Sequence, residues 1–591
     1  MKKSLLIIPL SAFALMGLVC CTGAKSEPFD LEPSGETNDG TGHTDIIIDD
    51  TGDEPETSVT GDFSLTSKDG TFTSSDNIYT INSAGTFTAK GVLENGQIIV
   101  NAPEDAEVVI ELSGASISCS SDSPIKALAA DKVEISAKKN TSNLVEDNRA
   151  EKSASASDDG TLGEGAINAK CDLKLKGTGT LVVRGNYNNG VHTTKDLKVQ
   201  KQTLYVTAVN NALKGKDSIT ISSGNVTAIS KKGNGLKTDN TDVSSSGNQR
   251  GIIEVSGGTL IVDSAYDAID AAYNIVVNED DEDSEFTKIT AKTGAYSTYS
   301  ANYSSGTSAK GLKADNEINI SAGTIAIQAS DDAIHTNYGD AFDNGSKGVG
   351  NINISGGAIG IASGDDGIHA DNTLTISGGS IDISGSSEGI EANHIEIKGG
   401  STCIYGSDDG VNAAKKINET PTIKISGGFL DVAVSKGDTD GIDSNGNFEM
   451  TGGFVVSRGG PGDASGMSTG LDCDGTAKMA GGTFIAFNGM EKSLTTGSGV
   501  LYAYYGTQAG GHGGGGPGGG GHPVNADSVS FNSGTYTLSG GNLNKTFDNE
   551  YSYVKFLVYS SEMETGKTYT LSKDGTSILS WEQTSNSQKI G

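Results

Sequence analysis

Between residues 109 and 489 apolar and polar positions alternate in short runs that restart at a regular interval. The clearest are Ile318-Asn-Ile-Ser-Ala-Gly-Thr-Ile-Ala-Ile, Ile352-Asn-Ile-Ser-Gly-Gly-Ala-Ile-Gly-Ile, Leu374-Thr-Ile-Ser-Gly-Gly-Ser-Ile-Asp-Ile and Ile423-Lys-Ile-Ser-Gly-Gly-Phe-Leu-Asp-Val. Period-two alternation of small aliphatic residues marks short strands with one buried face. The Gly-Gly pair supplies the left-handed backbone that a bend between two strands needs. A third short strand follows, as in Asp366-Gly-Ile-His-Ala-Asp and Asp440-Gly-Ile-Asp-Ser-Asn. From Gly356 to Gly481 the pairs recur every 21 to 29 residues, a solenoid interval rather than that of a sandwich or propeller. The pattern predicts an all-β fold, a right-handed parallel β-helix (solenoid) with three strands per turn. About fourteen turns at roughly 4.8 Å each would make a stack on the order of 65 Å long.

The period breaks over residues 138–161, 280–309 and 338–350, which are expected to leave the stack as loops, because a coil tolerates insertions at its corners. Residues 62–108 and 490–591 are expected to act as β caps over the open ends, where strand edges would otherwise stay unpaired. The C-terminal part holds a glycine-rich run with His512, Pro517 and His522, expected to be a loop, and its most strand-like stretch is Tyr551-Ser-Tyr-Val-Lys-Phe-Leu-Val-Tyr. At the other end, Lys2 and Lys3 precede an apolar stretch over residues 5–19 that is short for a membrane span. It runs into Leu18-Val19-Cys20-Cys21, which resembles a bacterial lipobox with Cys21 as the acylated residue. Residues 1–21 are thus expected to be a lipoprotein signal, and residues 22–61, rich in Glu, Asp, Gly, Thr and Pro, an acidic linker. This predicts a cell-envelope protein exported by its signal and held to the membrane only by lipid.

Composition supports repetitive β structure. Aromatics are 6% of the chain, tryptophan occurs once and glycine 83 times. Small aliphatic residues stacked on their own equivalents need few aromatics to form a core. Net charge is −33, which opposes binding to nucleic acid. An anionic ligand could be held only through bridging cations. Cys119, Cys171, Cys403 and Cys473 are widely spaced and form no CxxC pair, so they are expected to act as small buried hydrophobes.

The third strands carry the candidate chemistry. The position two before the inward aliphatic residue holds Asp267, Asp332, Asp366, Glu388, Asp409 and Asp440, with Asp331, Asp365 and Asp408 just ahead of three of them. Three residues on come Asp270, His335, His369, Glu391, Asn412, Asp443 and Asp472, and two further on Asn337, Asp371, Asn393, Asn445 and Asp474. In a β-helix these become vertical ladders at about 4.8 Å. Bare carboxylates at that spacing repel one another, and calcium between them would remove the repulsion. The mixture of Asp, Glu and Asn suits a hard cation and suits zinc poorly. Asp-Asp-Gly is also ordinary turn chemistry, and for a single turn both readings stand. His335 and His369 would be either stacked surface imidazoles or sugar-contacting groups. Toward the N-terminus the columns hold Lys126, Lys214, Lys237 and Lys313 beside Asn189, Asn211 and Asn234. These lysines either pair the carboxylates of an acidic polysaccharide or line a solvated face.

These residues, with Tyr79-Thr-Ile-Asn-Ser-Ala-Gly-Thr-Phe and Gly96-Gln-Ile-Ile-Val-Asn-Ala, resemble the secreted bacterial carbohydrate-binding domain-containing β-helix family. Its members bind polygalacturonate and cellulose and are related in fold to calcium-dependent pectate lyases. The resemblance runs from about Tyr79 to Asn488. It implies Ca²⁺ at acidic sites between turns, pectin-like ligands, and little or no catalysis. The sequence departs from the pattern at Pro124-Ile125-Lys126, Asn210-Asn-Ala-Leu-Lys214 and Gly235-Leu-Lys237, where the acids are missing. The leading expectation is a monomeric, non-catalytic, calcium-dependent polysaccharide binder. The alternatives are a pectate-lyase-like enzyme with Lys237 or Lys313 as base, and a structural adhesin.

Overall fold

The computed structural model describes residues 52–153, 160–279, 286–462, 468–491, 493–506 and 529–590. The lipobox, residues 22–51 of the linker and the glycine-rich run lie outside the described residues. Within them the chain is all-β. The only helices among the described residues are two three-residue 3-10 turns, Gly294–Tyr296 and Ser300–Asn302. One hydrogen-bonded sheet takes in 46 strands.

Pairing within that sheet is predominantly parallel, and through much of it each strand bonds to the third strand along, while Ile368–Ile376 and Ile390–Ile397 each serve two runs as one longer strand. Lys132–Ala137 pairs with Asp172–Gly177, which pairs with Asp196–Gln200. Thr180–Gly185 pairs with Gln202–Ala208, and Gly165–Ala169 with Asn189–Thr193. The chain thus visits three parallel runs in turn. In the third run one aliphatic column passes through Ile167, Val191, Leu213, Leu236, Ile269, Leu312, Ile334, Ile368, Ile390, Val411 and Ile442. All are buried. Burial of like on like repeat after repeat removes roughly 25 cal/mol of unfavourable hydration per Å² of apolar surface. Truncating one of them, for example Ile368→Ala, is expected to cost about 3 kcal/mol.

The bends explain the recurrent glycines. Gly379 has φ +87°, and a Cβ there would sit 2.9 Å from the Gly357 carbonyl oxygen, so the bends of successive repeats touch through bare backbone.

Two expectations about the interruptions need correction. Ser142–Asp147, inside the first, is a regular strand paired with Thr180–Gly185 and Glu107–Cys119. Lys288–Thr293, inside the second, pairs in register on both sides. The charged residues around both hid their alternation. The third does leave the sheet, as an antiparallel hairpin of Tyr338–Ala341 and Lys347–Val349. Parallel pairing also begins earlier than residue 109, at Ile78–Ile81 with Gln97–Asn101.

At the far end Phe556–Ser560 runs antiparallel to both Thr483–Phe487 and Leu501–Tyr505 and ends the parallel ladder. A separate four-stranded antiparallel sheet follows, over an aromatic core that includes Phe487, Phe531, Tyr536, Phe547, Phe556 and Trp581. The four described cysteines are buried and form no disulfide with one another.

Candidate functional site

The outward column of the third run is continuous. From Lys126 it passes through Asn168, His192, Lys214, Lys237, Asp270, Lys313, His335, His369, Glu391 and Asn412 to Asp443, all in register. Its N-terminal half neutralises itself. Asp270 is bracketed by Lys237, in direct ion-pair contact, and by Lys313 at 3.5 Å. Lys214 meets Asp239 at 2.6 Å, and Lys313 has Asp315 at 4.0 Å. The lysines expected to face a ligand are therefore already answered by carboxylates of the stack. Burial would lower the Lys313 pKa, but the charges of Asp270, Asp267 and Asp315 overcome this and raise it.

The turn column three residues earlier shows why either Asn or Asp can stand there. The side-chain oxygen of one residue accepts the backbone N–H of its equivalent in the next repeat. Asn189 accepts from Asn211 at 3.2 Å, Asn211 from Asn234 at 3.3 Å, and Asn234 from Asp267 at 3.1 Å. Asp267 accepts from Lys310 at 2.8 Å, Asp332 from Asp366 at 3.0 Å, Asp409 from Asp440 at 2.7 Å and Asp440 from Thr469 at 2.5 Å. One acceptor atom does this work, so turn chemistry is real in both halves. The other atom differs. In Asn it donates, as Asn234 Nδ2 does to Asp270 at 2.8 Å. In Asp it is a second oxygen that needs a cation or a donor.

Asp332 has both. Lys310 Nζ lies 2.6 Å from Asp331 and 2.7 Å from Asp332, and His335 Nδ1 is 2.7 Å from Asp332 Oδ2. Burial pushes the Asp332 carboxyl up, but His335 and Lys310 outweigh it and hold the carboxyl well below the usual range. One repeat later Asp366 is 4% exposed. His369 Nδ1 meets its Oδ2 at 2.7 Å, while its Oδ1 is buried with no hydrogen-bond partner. Oxygens of Asp365, Asp366 and Glu388 lie within 4.8 Å of one another. Burial pushes the Asp366 carboxyl up to about 8, with the facing Glu388 carboxyl and the Asp332 charge adding to it and His369 opposing.

Further along, burial and then neighbouring carboxylates raise Asp409 to about 7 (Asp443, Asp408 and Glu388), Asp440 to about 8 (Asp409 and Asp472) and Asp443 to about 6 (Asp472 and Asp474). Asp408 is also raised, by burial and then by the Glu388 and Asp438 charges.

His335 and His369 are not free surface imidazoles. Their ring centroids are 4.7 Å apart at a 37° tilt, and both nitrogens of each ring are engaged. His335 Nε2 is 2.7 Å from Asn337 Oδ1. His369 Nδ1 also lies 3.2 Å from Glu391, and Nε2 lies 3.3 Å from Asp371. Burial would lower the His369 pKa, but the hydrogen bonds to Asp366 and Asp371 push it up to about 10. Two of the groups whose ligand atoms converge include these rings, whose nitrogens are already taken up by neighbouring side chains; two are all-carboxylate, Asp331–Asp332–Asp365 and Asp365–Asp366–Glu388. Lys310 already serves the first. The second offers oxygen donors alone, one of them an orphaned buried atom, and fits a hard divalent cation such as Ca²⁺.

The sequence model of one family, described as carbohydrate-binding domain-containing protein, matches residues 75–349 and 338–438, more than half of the chain. The chain belongs to that family. A carbohydrate-binding domain-containing protein of Acetivibrio thermocellus is 30% identical over 128 residues, a match covering 22% of this chain and 44% of that relative. The chain therefore spans less than half of that relative's length. A solved structure of the polysaccharide lyase-like protein from C. thermocellum, a gadolinium derivative, is 30% identical with a TM-score of 0.33, covering 38% of this chain and 85% of that one.

Within the family region the structure gathers Asp331, Asp332, Asp365, Asp366, Glu388 and Glu391 around His335 and His369. It does not gather every acid singled out from the sequence. Asp267 and Asp270 are bound by Ser308, Lys310, Lys237 and Asn234. Asp371 takes His369 and, at 2.9 Å, the Tyr338 N–H. Asp408, Asp409, Asp440, Asp443, Asp472 and Asp474 join no convergent group of three among the described residues. Two lysines escaped sequence reasoning, Lys310 and Lys416, the latter in direct contact with Glu391. Lys310 was findable, because aligning Lys310-Gly-Leu-Lys313 on Asp332-Ala-Ile-His335 puts it in the aspartate column.

Proposed function

We propose that this chain is a non-catalytic, calcium-dependent binder of acidic polysaccharide, of the polygalacturonate or pectin-like class with cellulose as a second ligand. It coils as a right-handed parallel β-helix and acts as a monomer at the bacterial surface, anchored through Cys21. Family membership supports a polysaccharide partner. The observation that carries the ionic part is the Asp366 Oδ1 atom, buried without a donor beside Asp365 and Glu388. Asp365, Asp366 and Glu388 would hold the cation, which neutralises stacked carboxylates and can share its remaining coordination positions with a uronate. The lyase alternative needs an unprotonated base, whereas the surroundings of Lys313 raise its pKa. Retention of the full-length chain on immobilised polygalacturonate tests the reading. Binding in millimolar calcium that disappears in chelator is expected, and equal retention in both would refute calcium dependence.

A further inference from the structure

The polar strip of the third run is bordered at its two corners by loops, and each loop exposes a tyrosine. Among the described residues three aromatic rings are strongly exposed, Phe286, Tyr296 at 43% and Tyr338 at 51%. Phe286 precedes the second strand of its repeat and does not border the strip. The single tryptophan, Trp581, is buried in the C-terminal sheet.

Tyr296 lies at the corner leading into the third strand. Its loop is pinned on both sides, by Ala295 N–H donating to Ser330 Oγ at 2.6 Å and Ser297 Oγ donating to Asp263 at 2.5 Å. Ser330 is the residue just ahead of Asp331. Tyr338 lies at the opposite corner, immediately after Ile334–Thr336 and Asn337, and its N–H is held by Asp371. Its cross-strand partner Val349 is 39% exposed, which extends the apolar surface beside the ring. The hairpin is anchored: the Phe342 ring is buried 5.0 Å from Tyr273, and Asp343 N–H donates to Thr241 Oγ1 at 2.9 Å. Two tyrosines on fixed loops therefore flank one repeat, residues 331–337, from its entry and its exit.

We propose that Tyr338, with Tyr296 on the opposite corner, forms the apolar rim against which pyranose rings of the bound polysaccharide stack as the chain crosses this repeat. The proposal rests on the polysaccharide reading above and adds its location. A pyranose presents a C–H face and a hydroxyl edge. Tyrosine offers a large, rigid, amphipathic surface for the face at small entropic loss, and the carboxylates between the two corners accept hydrogen bonds from the edge. Stacking is indifferent to the charge of the sugar, so the rim supplies a part of the affinity that no cation mediates.

Affinity of the full-length chain for polygalacturonate in calcium, measured by titration calorimetry, tests this with Tyr338→Ala, Tyr296→Ala and Tyr338→Phe. Each Ala variant is expected to bind on the order of tenfold more weakly, and Tyr338→Phe to bind like wild type. The rise in melting temperature on adding calcium should be the same in all four proteins, because the cation would be held by Asp365, Asp366 and Glu388 and by neither tyrosine. Wild-type affinity in both Ala variants would overturn the tyrosine rim while leaving the polysaccharide reading intact. A wild-type protein that binds neither polygalacturonate nor cellulose would overturn both.

Discussion

Lys310 places its ammonium 2.7 Å from Asp332 Oδ2, a carboxylate of the following repeat. It also reaches Asp331 at 2.6 Å. In a column otherwise rich in acids, this lysine is a built-in cation. Asp365, Asp366 and Glu388, one to two repeats on, have no lysine in the equivalent place. The contrast divides the strip into a half neutralised by its own side chains and a half whose charge needs another source.

Lys310→Met should therefore do two things. With the ammonium gone, Asp331 loses its cation and Asp332 keeps only His335, and the chelated protein is expected to be about 3 kcal/mol less stable by urea denaturation. The emptied position should accept a cation, so calcium stoichiometry by calorimetry rises by one relative to wild type. Unchanged stoichiometry together with unchanged stability would show that Lys310 is an ordinary surface lysine.

Calcium removal from the wild type should lower the melting temperature, since an ion bound only to the folded state stabilises it by about 2.7 kcal/mol at a hundred times its Kd. Glu388→Gln removes one of the facing carboxylates and should reverse the usual sign of a mutation. In chelator above pH 8, where Asp366 is ionised, it is expected to be more stable than wild type, by about 1 kcal/mol, because repulsion with Asp366 is relieved. In calcium it should gain little. A Glu388→Gln protein that keeps the full calcium response would place the cation elsewhere.

Much of the fold was legible in the alternation and in the Gly-Gly bends, because every repeat buries the same small residues and the register is read directly from Ile334, Ile368 and Ile390. Two strands were missed, Ser142–Asp147 and Lys288–Thr293, where inserted charged segments interrupt the period on either side. Column membership was equally legible, but occupancy was not. Sequence places Asp270, Lys237 and Lys313 in one line without revealing that the two lysines close on the same aspartate. It places His335 and His369 outward without revealing that Asp332 and Asp366, three residues earlier, turn both rings into internal hydrogen-bonding groups. Those outcomes depend on side-chain reach between repeats, which periodicity does not encode.

The pH dependence of the metal-free protein follows from the buried acids. Asp366, Asp409 and Asp440 release their protons near 4 when unfolded but hold them to about 8, 7 and 8 when folded. Between these limits the folded state binds more protons, so stability falls as pH rises from about 4 to about 8. His369, raised to about 10, acts in the same direction: its contribution is present below its unfolded pKa near 6.5 and lost toward 10. Asp332 acts in the opposite sense, in a window below about 4 that lies outside this range. Melting temperatures in chelator should decline steadily from pH 5 to pH 8.5, and saturating calcium should flatten the decline. A rise over the same interval would contradict the carboxylate assignments.

Binder and enzyme separate at Lys313. β-Elimination of a uronide requires a base to take the proton beside the carboxylate, and a lysine does so only as the free amine. Lys313 lies 3.5 Å from Asp270 and 4.0 Å from Asp315, with its pKa raised by their charge and that of Asp267. Lys237 is closed on the same Asp270. Long incubation of the full-length chain with polygalacturonate and calcium is therefore expected to yield no unsaturated, ultraviolet-absorbing product. Lys313→Ala leaves Asp270 with Lys237 and Asn234, so it should lower stability modestly, by about 1 kcal/mol, with retention on the polysaccharide little changed. Product formation by the wild type that vanishes in Lys313→Ala would overturn the non-catalytic reading. Loss of retention in that variant, with no product from either protein, would instead make Lys313 a ligand-facing residue despite its carboxylate partners.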